Sequence, residues 1–448
     1  MKGPTFSSGG IHPPTEKELA RSGDYTSLQT PPELVIPLAQ HLGAPANAAV
    51  KKKQALAAGD VVGEPAGFVS TFIHTPLAGV VKTLDKMAIG PAITAVVNVI
   101  PAPGAALWEL DRDPLPFDPA MFSPGDTVAR IKEAGVVGMG GAAFPTQVKL
   151  SPPKDAPIDV VILNGAECEP YLTADDCLMR NHSALVVEGA RAVMHAVGAS
   201  RCYVGIEDNK PQALETMERA AKAHDAIDVV GLRTLYPQGS EKQLIEACMG
   251  RRVAPGKLPF SVGALVQNVG TTAAIYEALM QGRPLARRLV TVSGRAVRRP
   301  GNVLAPVGAS VLDLIEHCGG FVGDVAAVIM GGPMMGRTTT DLQTPITKGT
   351  SGILALSPDE LPSMAEDPCL RCGRCVVVCP MDLVPVHLEK LIAHGRIEEA
   401  VDALDCVECG CCAYTCPAHR RLVHRFRLAK WEIGRQRRRE QAKRKAAG

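Results

Sequence analysis

Two stretches near the C-terminal end, PCLRCGRCVVVCP (368–380) and DCVECGCCAYTCP (405–417), carry one punctuation, Cys-x2-Cys-x2-Cys-x3-Cys-Pro. Gaps of two residues let a tight loop wrap three corners of a cube, with backbone N–H groups turned toward the sulfurs. The proline after the fourth cysteine ends the loop. Three closely spaced thiolates then hold one [4Fe–4S] cubane, and the fourth crosses to its neighbour. The expected ligands are Cys369, Cys372, Cys375 and Cys416 for one cluster, and Cys406, Cys409, Cys412 and Cys379 for the other. Cys-x2-Cys pairs also build zinc ribbons, but the doubled run and its Cys-Pro endings favour iron–sulfur. Cys411, a ninth cysteine in the region, reads as a bystander. Two clusters this close make a path for electrons, and residues 366–422 are expected to form a helical ferredoxin-type domain.

The chain around this domain has 448 residues, enough for about three or four domains. Its 46% hydrophobic and 21% charged residues are those of a globular protein. Of 14 cysteines, nine lie between Cys369 and Cys416, which is not the layout of a secreted disulfide scaffold. The first thirty residues lack the apolar core of a signal peptide, so a cytoplasmic, reducing setting is expected. The net charge of +2 conceals an asymmetry: from His419 onward twelve Lys/Arg stand against Glu432 and Glu440. The remainder is acidic, which argues against a nucleic-acid partner. The basic tail, 423–448, suits anionic lipid headgroups at a membrane surface, or is a solvated terminus. Residues 88–107 carry no charge and have about the length of a membrane span. Gly90, Pro91, Pro101, Pro103 and Gly104 would break a helix there, so a buried strand followed by a turn is expected.

Moving outward from the cysteines, residues 286–356 alternate short strands with one helix, the size of a β-grasp unit. Residues 125–285 alternate strands (DVVILNG, RCYVGIED) with helices (ALVVEGARAVMHAVGA, QALETMERAAKAH), which implies a Rossmann-like α/β domain with a mainly parallel sheet. Residues 31–110 show β-runs between Gly and Pro turns, the pattern of a barrel or sandwich, preceded by an N-terminal segment, 1–30. The IHTPLAGVV segment (73–81) resembles the lipoyl and biotinyl carrier fold, but the preceding hairpin reads Gly63-Glu64-Pro65-Ala66, without the carrier lysine. The expected fold class is therefore multidomain α/β.

Four polar loops punctuate the α/β region. GMGGAAFP (138–145) leads to Lys149; its glycines would let backbone N–H groups approach a phosphate or flat ring, with the lysine offsetting charge. A tight turn in a core looks similar. NGAECEP (164–170) ends a strand, where parallel sheets bind ligands; a solvated turn is the alternative. YPQGSEK (236–242) and VQNVGT (266–271) precede helices and read equally as N-caps.

Together these loops resemble the flavin-bearing, NADH-oxidising subunit of respiratory complex I. A closer resemblance is to the RnfC family, a component of the Rnf (Rsx) electron-transport complex. It is carried by GGIHPP (9–14), NGAECEPYLTADD (164–176), GGPMMG (331–336) and both cysteine runs in the same order. It covers about residues 9–425. The resemblance implies a barrel-sandwich domain, a Rossmann-like domain, an SLBB-like β-grasp unit and FMN held by Gly138, Gly140, Gly141, Lys149, Asn164, Glu167, Glu169, Asn268 and Thr271. It implies nicotinamide near Phe144 and Glu241. Hydride would pass from NADH to FMN, then single electrons to the first cluster, the second, and partner subunits of a membrane complex that exchanges electrons with ferredoxin and moves ions. The chain would lie peripherally on the cytoplasmic face of the inner (plasma) membrane, with no side-chain nucleophile or acid–base pair required. One departure is Ala143, where the family's GGAGFP has glycine. Two rivals stay open: a soluble flavin reductase of the cobalamin-reductase kind, whose barrel is C-terminal, and a cluster-only wiring subunit without a nicotinamide site.

Overall fold

The computed structural model describes residues 3–21, 23–90, 92–361 and 365–447. Strands Val160–Asn164, Arg201–Glu207, Ile227–Leu232 and Ala264–Asn268 form a parallel sheet with Val160–Asn164 between Arg201–Glu207 and Ala264–Asn268. Side chains alternate across a strand, and the central strand uses both faces. Val161 and Leu163 join the core built by helices Ser183–Val197 and Val269–Met280, while Val160 and Ile162 join Leu244 and Ile245 of helix Glu241–Met249. Burial on both faces explains why VVIL is unbroken by polar residues. Asn164 and Asn268 stand side by side where these strands end.

The barrel-sandwich forms as two antiparallel sheets. One runs Leu34–Pro37, Ala92–Pro101, Gly79–Ile89, Ala55–Leu56 in space; the other runs Asn47–Ala48, Val61–Glu64, Ile73–His74. The charge-free stretch is one arm of a long hairpin. Val96, Val97 and Val99 in its second half are buried, whereas Ile93 near the tip is 77% exposed. No helix among the described residues is long and apolar enough to cross a membrane.

The β-grasp unit is wider than its sequence suggests. Its six-stranded sheet runs Tyr25–Ser27, Gly301–Pro306, Arg287–Ser293, Gly352–Leu356, Ala327–Met330, Arg337–Thr339, with helix Val311–His317 against it. The outermost strand comes from the N-terminal segment, which is therefore built into this unit rather than separate from it.

In the cysteine domain, short helices Arg374–Val377 and Cys411–Tyr414 follow the two ligand loops, and helix Pro385–Ala393 packs beside them. The basic tail is not a loose terminus: Leu422–Ala447 is one helix whose Leu422, Phe426, Ala429 and Ile433 are buried. Its first half closes the cluster domain. Arg425 pairs with Glu366 and Glu389, and Arg427 and Lys430 pair with Glu408.

Candidate flavin and cluster sites

The glycine loop closes on itself at the carboxyl end of the sheet. Val137 bridges Pro145, and Gly138 N–H donates to the Phe144 carbonyl at 2.9 Å. The buried Thr271 hydroxyl anchors the base, accepting from Met139 N–H at 2.9 Å and donating to the Val137 carbonyl. Beyond this base Gly140, Gly141 and Ala142 are exposed. A Cβ at Gly140 would lie 3.2 Å from the Asn268 side chain, and one at Gly141 would meet nothing within 4 Å. The loop thus holds a bare strip of backbone open above the strand ends, the surface a flat ring or phosphate needs.

Asn268 is the hinge of this site. Its Oδ1 caps helix Val269–Met280 by accepting from Gly270 and Thr271 N–H, and its Nδ2 donates to Asp175 Oδ2 at 2.7 Å. Burial raises the Asp175 carboxyl above its usual range, and the Asn268 hydrogen bond and the Arg288 guanidinium oppose that rise. Asn164 Nδ2 donates to the Gly239 carbonyl at 2.8 Å, tying the YPQGSEK loop to the sheet. That loop delivers Glu241, whose carboxylate meets Lys149 Nζ at 2.7 Å. Phe144 is partly exposed beside the glycines. Buried Gln267 leaves its Nε2 without a partner among the described residues.

The two glutamates of NGAECEP behave differently from expectation. Glu167 accepts from the backbone N–H of Asp175 and Asp176, holding the start of helix Ala174–Asn181 and hence Asp175. Glu169 turns the other way and accepts from Met334 and Met335 N–H at 3.0 and 2.9 Å. GGPMMG is glycine-rich because it wraps this carboxylate: a Cβ at Gly332 would come 2.3 Å from Glu169 Oε2. Glu169 thus joins the flavin domain to the β-grasp unit instead of reaching into the glycine-loop site. Burial pushes both carboxyls up to about 7.

Composition and motif gave no signal for Lys17. Its buried ammonium donates to the carbonyls of Glu167, Glu169 and Leu172, and desolvation lowers it to about 8. Lys210, also buried, donates to the Ala166 carbonyl. Only their three-dimensional convergence on one turn reveals them.

Cysteines of the two runs lie near one another in the cluster domain. Burial raises the Cys375 thiol, and Cys416, Cys369 and Cys372 are its neighbouring thiols. Cys379, Cys406, Cys409 and Cys412 line one apolar cavity with Pro380, Leu383, Val407 and Phe426. Cys379, from the first run, thus lies with cysteines of the second, and Cys411 lines the same apolar cavity as a fifth thiol.

The two sets are not equivalent. Cys372 is exposed, while Cys409 is buried against Tyr236 and Ile11, and Cys412 is buried within the cluster domain. Tyr236, from the loop that bears Glu241, donates its hydroxyl to the Cys409 carbonyl at 2.6 Å, and Met334 packs beside Cys409. Cys409 thus touches the loop that bears Glu241, and on that contact the Cys379/406/409/412 group is called the inner one. Cys411 is fully buried and packs with Tyr236 and Cys409.

Sequence comparison agrees with this architecture piece by piece. Residues 5–100 match the RnfC barrel sandwich hybrid domain, 131–277 the Nuo51 FMN-binding domain, 289–338 the SLBB domain, and 368–419 a 4Fe-4S dicluster domain. The chain is 42% identical over 438 residues to the C component of a proton-translocating ferredoxin:NAD(+) oxidoreductase complex of Clostridium ljungdahlii, covering 97% of this chain and 95% of that one. The chain belongs to the RnfC family. It is 41% identical to the C component of the Na(+)-translocating ferredoxin:NAD(+) oxidoreductase complex of Acetobacterium woodii, over 98% of this chain and 99% of the other. With the C component of the Rhodobacter capsulatus ion-translocating oxidoreductase complex it shares 38% identity, over 88% of this chain and 76% of the relative. Membership brings an FMN-binding domain and a two-cluster domain into one oxidoreductase component, the fold and cofactor set that the sequence motifs imply.

Proposed function

We propose that this chain is the peripheral electron-input subunit of an ion-translocating NADH:ferredoxin oxidoreductase, taking electrons from NADH at FMN and passing them through the inner and then the outer cluster to partner subunits. The observation that carries this reading is the Tyr236 loop. It faces the glycine-loop site through Gly239 and Glu241 and touches the inner cysteine loop through its hydroxyl. One short segment thus joins the two redox sites.

Bound FMN supplies the conversion of a two-electron hydride into single electrons. The chain's own residues would do the rest. Gly138, Gly140 and Gly141 leave room for the ring, and Asn164, Asn268 and Thr271 fix the backbone around it. Lys149, released from Glu241, would meet the phosphate or the nicotinamide nucleotide, with Phe144 beside the ring. Glu167 keeps Asp175 and Asn268 in place, and Glu169 fixes the domain junction. Cys379, Cys406, Cys409 and Cys412 would hold the inner cluster, and Cys369, Cys372, Cys375 and Cys416 the outer, whose exposed Cys372 suits an exit to a partner.

Docking at the cytoplasmic face of the membrane belongs to the same proposal. Arg437, Arg438, Arg439 and Lys443 are exposed on the far half of the terminal helix. Reversing the three arginines to glutamate is expected to abolish salt-sensitive binding to vesicles containing anionic lipid. Unchanged binding would remove the helix from the docking surface.

The deciding experiment is anaerobic purification with iron, sulfide and FMN quantitation, followed by NADH addition under visible and EPR observation. Eight irons, one FMN and cluster signals on NADH addition are expected. Iron without flavin, and no NADH response after reconstitution, would leave the cluster-only reading. A soluble reductase would give the same NADH response but bind no other protein of a membrane complex.

A further inference from the structure

The motif GGIHPP (9–14) enters none of the cofactor sites, yet it lies where the flavin domain meets the inner cluster. Gly10 N–H donates to the Val378 carbonyl at 3.0 Å, and Ile11 exchanges two 2.9 Å backbone hydrogen bonds with Tyr236. The Tyr236 hydroxyl in turn holds the Cys409 carbonyl. Residues 9–11 therefore touch both loops of the inner cluster, the Cys379 loop directly and the Cys409 loop through one side chain. The approach depends on missing side chains. Gly9 has φ +70° and Gly10 φ +91°. A Cβ on Gly9 would stand 2.6 Å from the carbonyl carbon and oxygen of Cys379, and one on Gly10 would stand 2.9–3.0 Å from Leu235 and Phe6. Backbone atoms cannot swing aside as a flexible side chain can. On either side the segment is pinned to the flavin domain: Thr5 to Gln238, Ser7 to Glu246, Thr15 to Tyr171, and Lys17 to the NGAECEP turn.

We infer that residues 9–11 are a positioning element that seats the inner cluster against the flavin domain and so sets the rate at which an electron leaves reduced flavin and enters that cluster. This rests on the proposed route from FMN to the clusters. The transfer itself makes and breaks no bond; the flavin is oxidised by one electron and the cluster reduced by one. What the segment contributes is contact distance, and the rate of electron transfer falls off steeply as the gap between two redox centres widens.

The test compares the full chain with its Gly9→Ala variant, both loaded with FMN and iron. The variant is expected to keep its FMN and iron content, its dithionite-reduced cluster spectrum and its NADH-driven reduction of a small dye that draws electrons at the flavin. Its NADH-driven cluster reduction, followed by rapid mixing, should slow several-fold, with faster amide exchange at Ile11 and Tyr236. Unchanged cluster reduction at full cofactor content overturns the inference. Should Gly9→Ala lose iron, Tyr236→Phe carries the same comparison, because it removes only the hydroxyl on the Cys409 carbonyl: slower transfer upholds the inference and an unchanged rate overturns it. A wild-type chain without FMN or NADH response defeats the proposed route, a result separable from either variant outcome.

Discussion

Ala143 sits at φ +50°, in the left-handed region where a Cβ is strained. The departure from glycine was visible in GMGGAAFP; the strain was not, because a motif does not state a dihedral angle. Ala143→Gly is expected to raise stability by up to about 1 kcal/mol, read as a higher denaturant midpoint in the loaded protein. A lower midpoint would mean that the Ala143 methyl contributes packing that outweighs its strain. Glu167 and Glu169 give a second expectation. Their carboxyls, ordinarily near 4.5, are raised to about 7 by burial. Between those values the folded state binds protons more tightly than the unfolded one. Their contribution to stability therefore declines as pH climbs through that window and levels off above it. Glu169→Gln removes one such group, so the fall in denaturant midpoint from about pH 5 to about pH 8 should be shallower than in the wild type. An equally steep fall would assign the pH dependence elsewhere.

Helix Val269–Met280 depends on its cap. Asn268→Ala should cost about 1 kcal/mol through the lost cap alone. Asn268→Asp is the sharper probe: it keeps an oxygen for Gly270 and Thr271 N–H but sets a second carboxylate against Asp175. FMN affinity and thermal midpoint should both fall below those of the alanine variant, and an aspartate variant as stable as wild type would sink the argument. The sequence showed VQNVGT as a cap or a binding loop without separating the two, and the structure shows the cap. The terminal helix is the contrary case. Its charge was legible, but Leu422, Phe426, Ala429 and Ile433 form a stripe so interleaved with arginines that its packed half reads as tail.

The cluster domain has a small core in which cysteine sulfurs occupy places that apolar side chains hold elsewhere: Cys412 packs with Leu388, Leu391, Ile392 and Phe426. Its stability should therefore reside largely in the metal. Removing iron with a chelator under reducing conditions is expected to open residues 366–443 to protease while the α/β domain keeps its fold and its FMN. Protection of both halves after iron loss would show that the ion pairs of Glu389 and Glu408 suffice. If the α/β domain were lost as well, the cluster domain would be part of its folding unit.

Spacing along the chain carried everything that depends on near neighbours. The Cys-x2-Cys runs marked the two-cluster domain, and strand alternation gave the parallel sheet. These are local because a thiolate loop, a strand parity or a tight turn is written within a dozen residues. Three things lay outside that reach: the contact of the Cys409 loop with Tyr236, Glu169 held in the GGPMMG turn, and Lys17 beneath the acidic turn. Each joins segments 150 or more residues apart. A buried carboxylate or ammonium shows nothing in its own sequence of which distant backbone groups will satisfy it. Only the packing of the domains chooses those partners, because desolvation penalises every arrangement that leaves such a charge without them.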